Sequence, residues 1–118
     1  MNLVIYSGRN FLSDFTVVSQ DGTTPEVLAD TDTAFFSAQT AGENPVSVLK
    51  DIPMTLIDAD NGLFELSLTS EQTVLFKQYV GFQEDNYLPI GNHEGYLDFI
   101  LESGNRQAMI GISVKEVV

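Results

Sequence analysis

The chain has 118 residues, of which 43% are hydrophobic and 19% are charged, a composition typical of one globular domain over residues 1–118 rather than of a disordered segment. Seventeen acidic side chains against five basic ones give a formal net charge of −12, spread over both halves of the chain. A surface this acidic repels phosphate backbones, which argues against direct nucleic-acid binding.

In the first half of the chain, short runs of strand-forming residues alternate with turn residues. The turn Ser7-Gly8-Arg9-Asn10 closes the first run, and Thr24 to Asp32 is expected to form a loop or an ordered crossover. Four runs predict strands, at residues 3–6, 15–19, 33–38 and 46–49.

The middle of the chain shows a clearer strand pattern. Residues 54–57 predict a strand that leads into Asn61-Gly62, a step that supplies the positive φ of a tight reversal. Phe64, Leu66 and Leu68 then alternate with polar residues, as expected for a strand with one buried face.

The second half adds one helix and a hairpin. Thr69 and Gln72 have the spacing of a capping box, which predicts a short helix over residues 70–76. The runs 96–101 and 108–114 flank a turn at 103–106 and predict a β-hairpin. Together these patterns predict an all-β antiparallel sandwich of about seven strands with one short helix.

The chain contains no cysteine, so neither a disulfide framework nor a thiolate metal site is expected. Residues 1–6 lack the charged and then apolar pattern of a secretory signal. No apolar run approaches the roughly 20 residues that a membrane-spanning helix needs. We therefore expect a protein that is soluble where it is made, in the cytoplasm, with no membrane insertion.

Two features could suggest a metal site. His93 is the only histidine and lies in the loop-like sequence 91–95, so an exposed or hydrogen-bonded loop histidine is expected. Asp58 and its neighbours resemble the start of a calcium loop, but Leu63 and Thr69 occupy the positions where an EF-hand needs glycine and glutamate. A solvated turn is therefore expected after Asp58, and no metal or other cofactor.

Catalytic motifs are incomplete, so the chain is not expected to be an enzyme. No serine lies in a Gly-x-Ser-x-Gly elbow, and no glycine-rich phosphate loop is followed by its lysine. Asp98 interrupts an apolar strand between Leu97 and Phe99. We expect it to face outward, the alternative being a partly buried carboxylate that accepts hydrogen bonds from a neighbouring loop.

The segment Gln78 to Glu94 is the least regular apolar stretch of the chain. Its side chains would form either a partner-binding patch or a lid over the open end of the sandwich, and both readings stay open at this point. The candidate partner-binding residues are Tyr79, Phe82, Tyr87, Leu88 and Ile90.

The second half of the chain contains a series of short motifs: Gly62, Phe64-x-Leu66-x-Leu68-Thr69, Glu71-Gln72-Thr73, Gly95-Tyr96-x-Asp98 and Gly111-x-Ser113-Val114. With these motifs it resembles a recurrent immunoglobulin-like β-sandwich module of tailed-bacteriophage virion proteins, similar to the N-terminal domains of baseplate and upper-tail proteins. In the first half, Ile5-x-x-Gly8 and the run 33–39 are compatible with this module, whereas the stretch 78–94 departs from it.

The resemblance implies an immunoglobulin-like fold and a structural role in a virion, as a tail, neck or baseplate module or a head decoration. Members of that family are not enzymes and act by packing into rings or trimers or by carrying other domains, so we expect other virion proteins as partners, in multiple symmetric copies. Contacts are expected through residues 78–94 and at least one terminus. The alternative is a carbohydrate-binding or host-adhesion module, in which Tyr6, Tyr79, Phe82 and Tyr87 would stack on a glycan.

Overall fold

The computed structural model describes residues 2–41, 44–82 and 93–115, and it describes their side chains except those of residues 77–82. A 3₁₀ turn, Ala59–Asn61, precedes the sixth strand. The elements are β1 (Asn2–Tyr6), β2 (Phe11–Thr16), β3 (Thr33–Thr40), β4 (Ser47–Pro53), β5 (Thr55–Asp58), β6 (Leu63–Leu68), α1 (Ser70–Phe82), β7 (His93–Ile100) and β8 (Arg106–Lys115).

The strands form two sheets, a five-stranded sheet in the order β1-β8-β7-β3-β4 and a three-stranded sheet in the order β2-β6-β5. This division, with the first strand beside the last and the second strand in the opposite sheet, is that of an immunoglobulin-like sandwich. The predicted all-β sandwich with one helix is confirmed, with eight strands in the described part of the chain. At one edge of the larger sheet β1 runs parallel to β8, and the other strand pairs of the described structure are antiparallel.

The core lies between the two sheets, where the inward-facing apolar side chains of β6 pack against those of β7. Phe64, Leu66 and Leu68 are at most 1% exposed, and Leu97 and Phe99 are also buried, so the predicted inward faces of both strands are confirmed. The rings of Phe64 and Phe99 contact each other across the sandwich, with centroids 5.7 Å apart and planes tilted by 47°.

The capping box of α1 forms as predicted. The Thr69 backbone N–H donates to the Gln72 side-chain oxygen at 2.8 Å, and the Gln72 N–H donates to the Thr69 hydroxyl at 3.2 Å. The helix begins at Ser70 but continues to Phe82, well past the predicted end at residue 76.

A fully buried threonine in the first turn of α1 fixes the helix to the turn between β1 and β2. The Thr73 hydroxyl donates to the carbonyl of Arg9 at 2.8 Å and accepts from the N–H of Gly8 at 3.1 Å. Because both partners belong to the β1–β2 turn, α1 holds the end of β1 in place.

The segment between β2 and β3 is an ordered crossover, one of the two forms expected for it. The buried carboxylate of Asp32 accepts hydrogen bonds from the N–H groups of Ala29 and Glu102, both at 2.9 Å. The predicted strand at 15–19 is shifted, because β2 ends at Thr16 and Val18 forms only an isolated bridge with Pro25.

Gly62 ends the 3₁₀ turn in the left-handed region, with φ of 64°. A Cβ atom at this position would lie 2.6 Å from the carbonyl oxygen of Val17 and 2.8 Å from that of Glu26. The tight reversal predicted at Asn61-Gly62 is therefore confirmed, and glycine is required there for two reasons, conformation and space.

Truncating either core aromatic ring should destabilise the fold strongly. We expect Phe64→Ala and Phe99→Ala each to lower the free energy of unfolding by about 3–5 kcal/mol, because each leaves a cavity between the sheets. Urea denaturation measures this effect. Leu12→Ala is the control, since Leu12 is 65% exposed. Equal midpoints for Phe64→Ala and Leu12→Ala would contradict the inward register of β6.

Gly62→Ala should destabilise the protein more than Gly22→Ala. Both glycines have positive φ, 64° and 78°, but a Cβ at Gly22 would meet no atom within 4 Å. Gly22→Ala therefore measures the conformational cost alone, about 1–3 kcal/mol. The further loss of stability in Gly62→Ala reports the clash with the two carbonyl groups, and thermal melts of both variants that coincide would show that this close approach is absent.

Candidate interaction surface

The predicted partner-binding residues fall at the margin of the described structure. Tyr79 and Phe82 lie in the last turns of α1, where the side chains are outside the described set. Tyr87, Leu88 and Ile90 lie outside the described residues, as do Met1 and residues 116–118 of the two termini. The choice between a partner patch and a core lid over residues 78–94 therefore stays a prediction.

The prediction that His93 is an exposed or hydrogen-bonded loop residue is wrong. His93 is the first residue of β7 and is only 4% exposed, with its ring edge-on to Phe76 at a centroid distance of 5.2 Å. Neither ring nitrogen has a hydrogen-bond partner among the described residues. Burial lowers the pKa of His93 below its ordinary value of 6.5, so the ring is neutral at pH 7.

A sequence signal for the burial of His93 exists in the alternation of β7. His93 has the same parity as Leu97 and Phe99, so the inward face of the strand extends back to it. The flanking glycines suggested a loop, but Gly95 belongs to the strand. A Cβ there would lie 2.9 Å from the side chains of Ile110 and Ile112, so the glycine makes room for core packing.

The structure also places the two acidic residues Asp98 and Asp58, which the sequence predicted to face outward and to begin a turn. Asp98 is half-buried on the outward side of β7 and accepts a hydrogen bond from the Gln107 side chain on β8 at 2.8 Å, so the outward-facing interpretation is confirmed. In the turn after β5, the Asn61 amide donates to the Asp58 carboxylate at 2.7 Å. Over residues 2–41, 44–82 and 93–115, no group of three or more histidine, aspartate or glutamate residues could hold a metal ion.

The side of the five-stranded sheet that faces away from the core, here called the outer face, carries several exposed apolar side chains. Met109, which is 65% exposed, lies directly opposite Tyr96 on the neighbouring strand. Ile100 lies further along β7, and Val4 and Tyr6 lie on β1 at the edge of the sheet. This face therefore offers apolar contact area that the core does not use.

A shallow cleft of about 240 Å³ opens on the outer face where the pairing of β4 with β3 shifts register. The Tyr96 hydroxyl beside it donates to Glu94 at 3.2 Å, and the Gln39 amide also approaches Glu94, at 3.4 Å. Desolvation and the nearby Glu94 carboxylate raise the pKa of Tyr96, so the phenol stays neutral. Small-molecule sites usually enclose about 300–1,000 Å³, so this cleft is smaller than a typical small-molecule site.

The charge of the protein is unevenly placed in three dimensions. Neither β1 nor β8 contains a carboxylate, although the whole chain carries seventeen. Arg9 and Lys115 are exposed at one end of this strand pair, and Arg106 at the start of β8 forms an ion pair with Glu26. Within the described strands β1 and β8, the charged side chains are therefore all basic, although the whole chain is acidic.

No protein-family model matches the chain, and no curated protein is significantly similar to it. Among the helices that the structure describes, none is long and apolar enough to cross a membrane.

The burial of His93 should make stability depend on pH in a narrow range. Because the folded pKa lies below 6.5, the unfolded chain binds more protons, and stability should fall as pH drops through 6.5 towards the lower folded value. Thermal melts between pH 8 and pH 5 measure this loss. In His93→Leu, which has no group to protonate at this site, the dependence should be weaker.

Asp21 contributes to the pH dependence of stability in a lower pH range, so it does not interfere with the test of His93. Hydrogen bonds from Thr24, Thr23 and Ser19 hold the pKa of Asp21 well below its ordinary value of 3.8, so its stabilisation is lost only as pH falls below that value.

A stability profile between pH 8 and pH 5 that is identical in the wild type and His93→Leu would contradict the buried, neutral histidine.

Proposed function

We propose that this chain acts by protein–protein packing in a multi-copy assembly, as a structural component of a bacteriophage virion, and not as an enzyme. The observation that carries the proposal is the outer face, where Met109 and Tyr96 form an apolar pair and Val4 and Tyr6 extend the apolar surface to the sheet edge. Packing is the use for which an apolar, solvent-exposed sheet face is suited.

The energetics favour contacts that are short in range and repeated many times. Two copies with a net charge of −12 each repel at long range, so attraction must come from close contacts where water is removed. Apolar burial contributes about 25 cal/mol per Å², which makes one modest patch weak on its own. Symmetric repetition of the patch in a particle turns weak contacts into firm attachment.

The proposed place in a virion rests on the resemblance and on where its residues lie in the fold. Gly62 forms the reversal before β6, Thr69 caps α1, and Gly95 makes space in β7 for the core. The residues on which the resemblance rests thus occupy positions that shape the sandwich. The proposal includes the tail, the neck, the baseplate and the head surface as locations.

The environment of the single histidine supports a non-catalytic role. General acid–base catalysis at neutral pH most often uses a histidine that reaches substrate, whereas His93 is 4% exposed and faces the core. The neutral phenol of Tyr96 is likewise unsuited to act as a base at neutral pH.

A matched pair of variants tests the packing surface. Met109 on the five-stranded sheet and Leu12 on the three-stranded sheet are each 65% exposed, so Met109→Glu and Leu12→Glu should both fold with little loss of stability. We expect Met109→Glu to reduce incorporation into purified phage particles at least about tenfold, and Leu12→Glu to incorporate as the wild type does. Immunoblots of particles from an infected host measure incorporation.

Three outcomes would change the proposal. Wild-type chain that is abundant in the lysate but missing from purified particles would remove the virion role. Equal incorporation of Met109→Glu and Leu12→Glu would show that the outer face is not the packing surface. Saturable binding of the monomer to a glycan array would favour the carbohydrate-binding alternative.

The same assay examines the segment 78–94. Folded Phe82→Ser or Leu88→Ser protein that fails to incorporate would support a partner patch there. Loss of folding alone would support the core lid.

A further inference from the structure

The free side of β1 is the one strand edge in the described structure that lacks a feature that blocks pairing. At the opposite edge of the same sheet, β4 contains the charged Lys50, Asp51 in a positive-φ conformation, and Pro53. The register of β4 with β3 is also interrupted. The three-stranded sheet ends in β2, with an exposed Asp14 at its centre, and in β5, which has only four residues. Such features prevent edge-to-edge association.

In contrast, β1 contains no charged residue and no proline, and all five of its residues pair in continuous register with β8. None of the residues that the structure describes pairs with its other side. The Ser7 N–H donates to the Lys115 carbonyl at 2.9 Å, on the β8 side. Because backbone groups of successive residues alternate in direction, those of Asn2 and Val4 and the N–H of Tyr6 point to the free side, whereas the Tyr6 carbonyl already accepts a hydrogen bond from the Arg9 N–H at 3.1 Å.

The distribution of charge indicates which strand can occupy this edge. A partner strand must approach within about 4.8 Å, where like charges would repel strongly. Neither β1 nor β8 of one copy contains a carboxylate, so two β1 strands can pair without opposing acidic side chains on these strands. The nearest carboxylates on the outer face, Glu94 and Asp98, lie on β7, two strands from the edge.

We propose that β1 pairs antiparallel with β1 of a second copy of this chain, which joins the two five-stranded sheets into one continuous sheet across a twofold axis. The register centred on Val4 places Val4 opposite Val4 of the second copy and Tyr6 opposite its Asn2, so that the Tyr6 N–H donates to the Asn2 carbonyl. These side chains extend the outer face, so the inference rests on the proposed packing function and names its partner and its contact strand.

A cysteine scan tests the register directly, because the chain has no cysteine of its own. Directly opposed residues in a hydrogen-bonded antiparallel pair have Cα atoms about 5.5 Å apart, within the range of about 4.4–6.8 Å that a disulfide spans. Val4→Cys should therefore oxidise to a covalent dimer. Tyr6→Cys, at a position of similar exposure, should not, since two copies of residue 6 lie roughly 13 Å apart in this register.

Two substitutions at Val4 and a salt titration test the association itself, by sedimentation of the full chain. Val4→Pro removes a free-side N–H, and Val4→Lys places two cations opposite each other, so each should weaken dimerisation at least about tenfold. Val4→Lys changes only an exposed side chain and guards against misfolding of the proline variant. Raising the salt concentration from about 0.01 M to 1 M should strengthen the wild-type dimer, because screening reduces the repulsion of the two acidic bodies.

Three results would overturn this pairing: a wild-type chain that stays monomeric at high concentration and high salt, equal cross-linking of Val4→Cys and Tyr6→Cys, or a dimer that weakens as salt rises. The last result would point instead to Arg9 and Lys115 contacting an acidic surface. If β1 pairing fails these tests but particle incorporation still depends on Met109, the proposed packing function stands without the β1 dimer. If incorporation also proves independent of Met109, both the β1 dimer and the proposed packing function are wrong.

Discussion

The contact of Phe64 with Phe99 across the sandwich is the interaction on which the rest of the structure depends. It brings β6 of the three-stranded sheet against β7 of the five-stranded sheet and so determines which face of every strand is buried. Each strand has two faces that alternate along the chain, so once the inner face is assigned the outer face is assigned too. The exposed pair Met109 and Tyr96 is a consequence of that assignment.

The same constraint explains the environment of His93. A strand whose alternate residues pack in the core must bury every inward position, and the start of β7 places a histidine there. The protein keeps this ring neutral against Phe76, at the expense of stability in acid. Thr73 shows the opposite solution, since its buried hydroxyl is fully used in holding α1 to the β1–β2 turn.

The outer surface combines strong overall repulsion with one permissive region. A net charge of −12 keeps copies apart at a distance. Asp14 on β2, Lys50 and Pro53 on β4, and the short length of β5 block three of the four strand edges in the described structure. The described strands β1 and β8 contain no carboxylate, β1 contains no blocking residue, and the two strands adjoin the apolar outer face. Association would therefore be confined to one side of the sandwich, which is what an ordered multi-copy assembly requires.

The sequence alone determined the strand alternation of β6 and β7, the capping box at Thr69 and the reversal at Gly62, because each depends on neighbours only a few residues apart. It also indicated which side chains face outward, including Asp98. Only the tertiary structure decided that β1 lies beside β8, that His93 enters the core, and that Met109 meets Tyr96. These features depend on which strands are neighbours, and pairing partners 109 residues apart, such as Leu3 and Ile112, leave no local pattern in the chain.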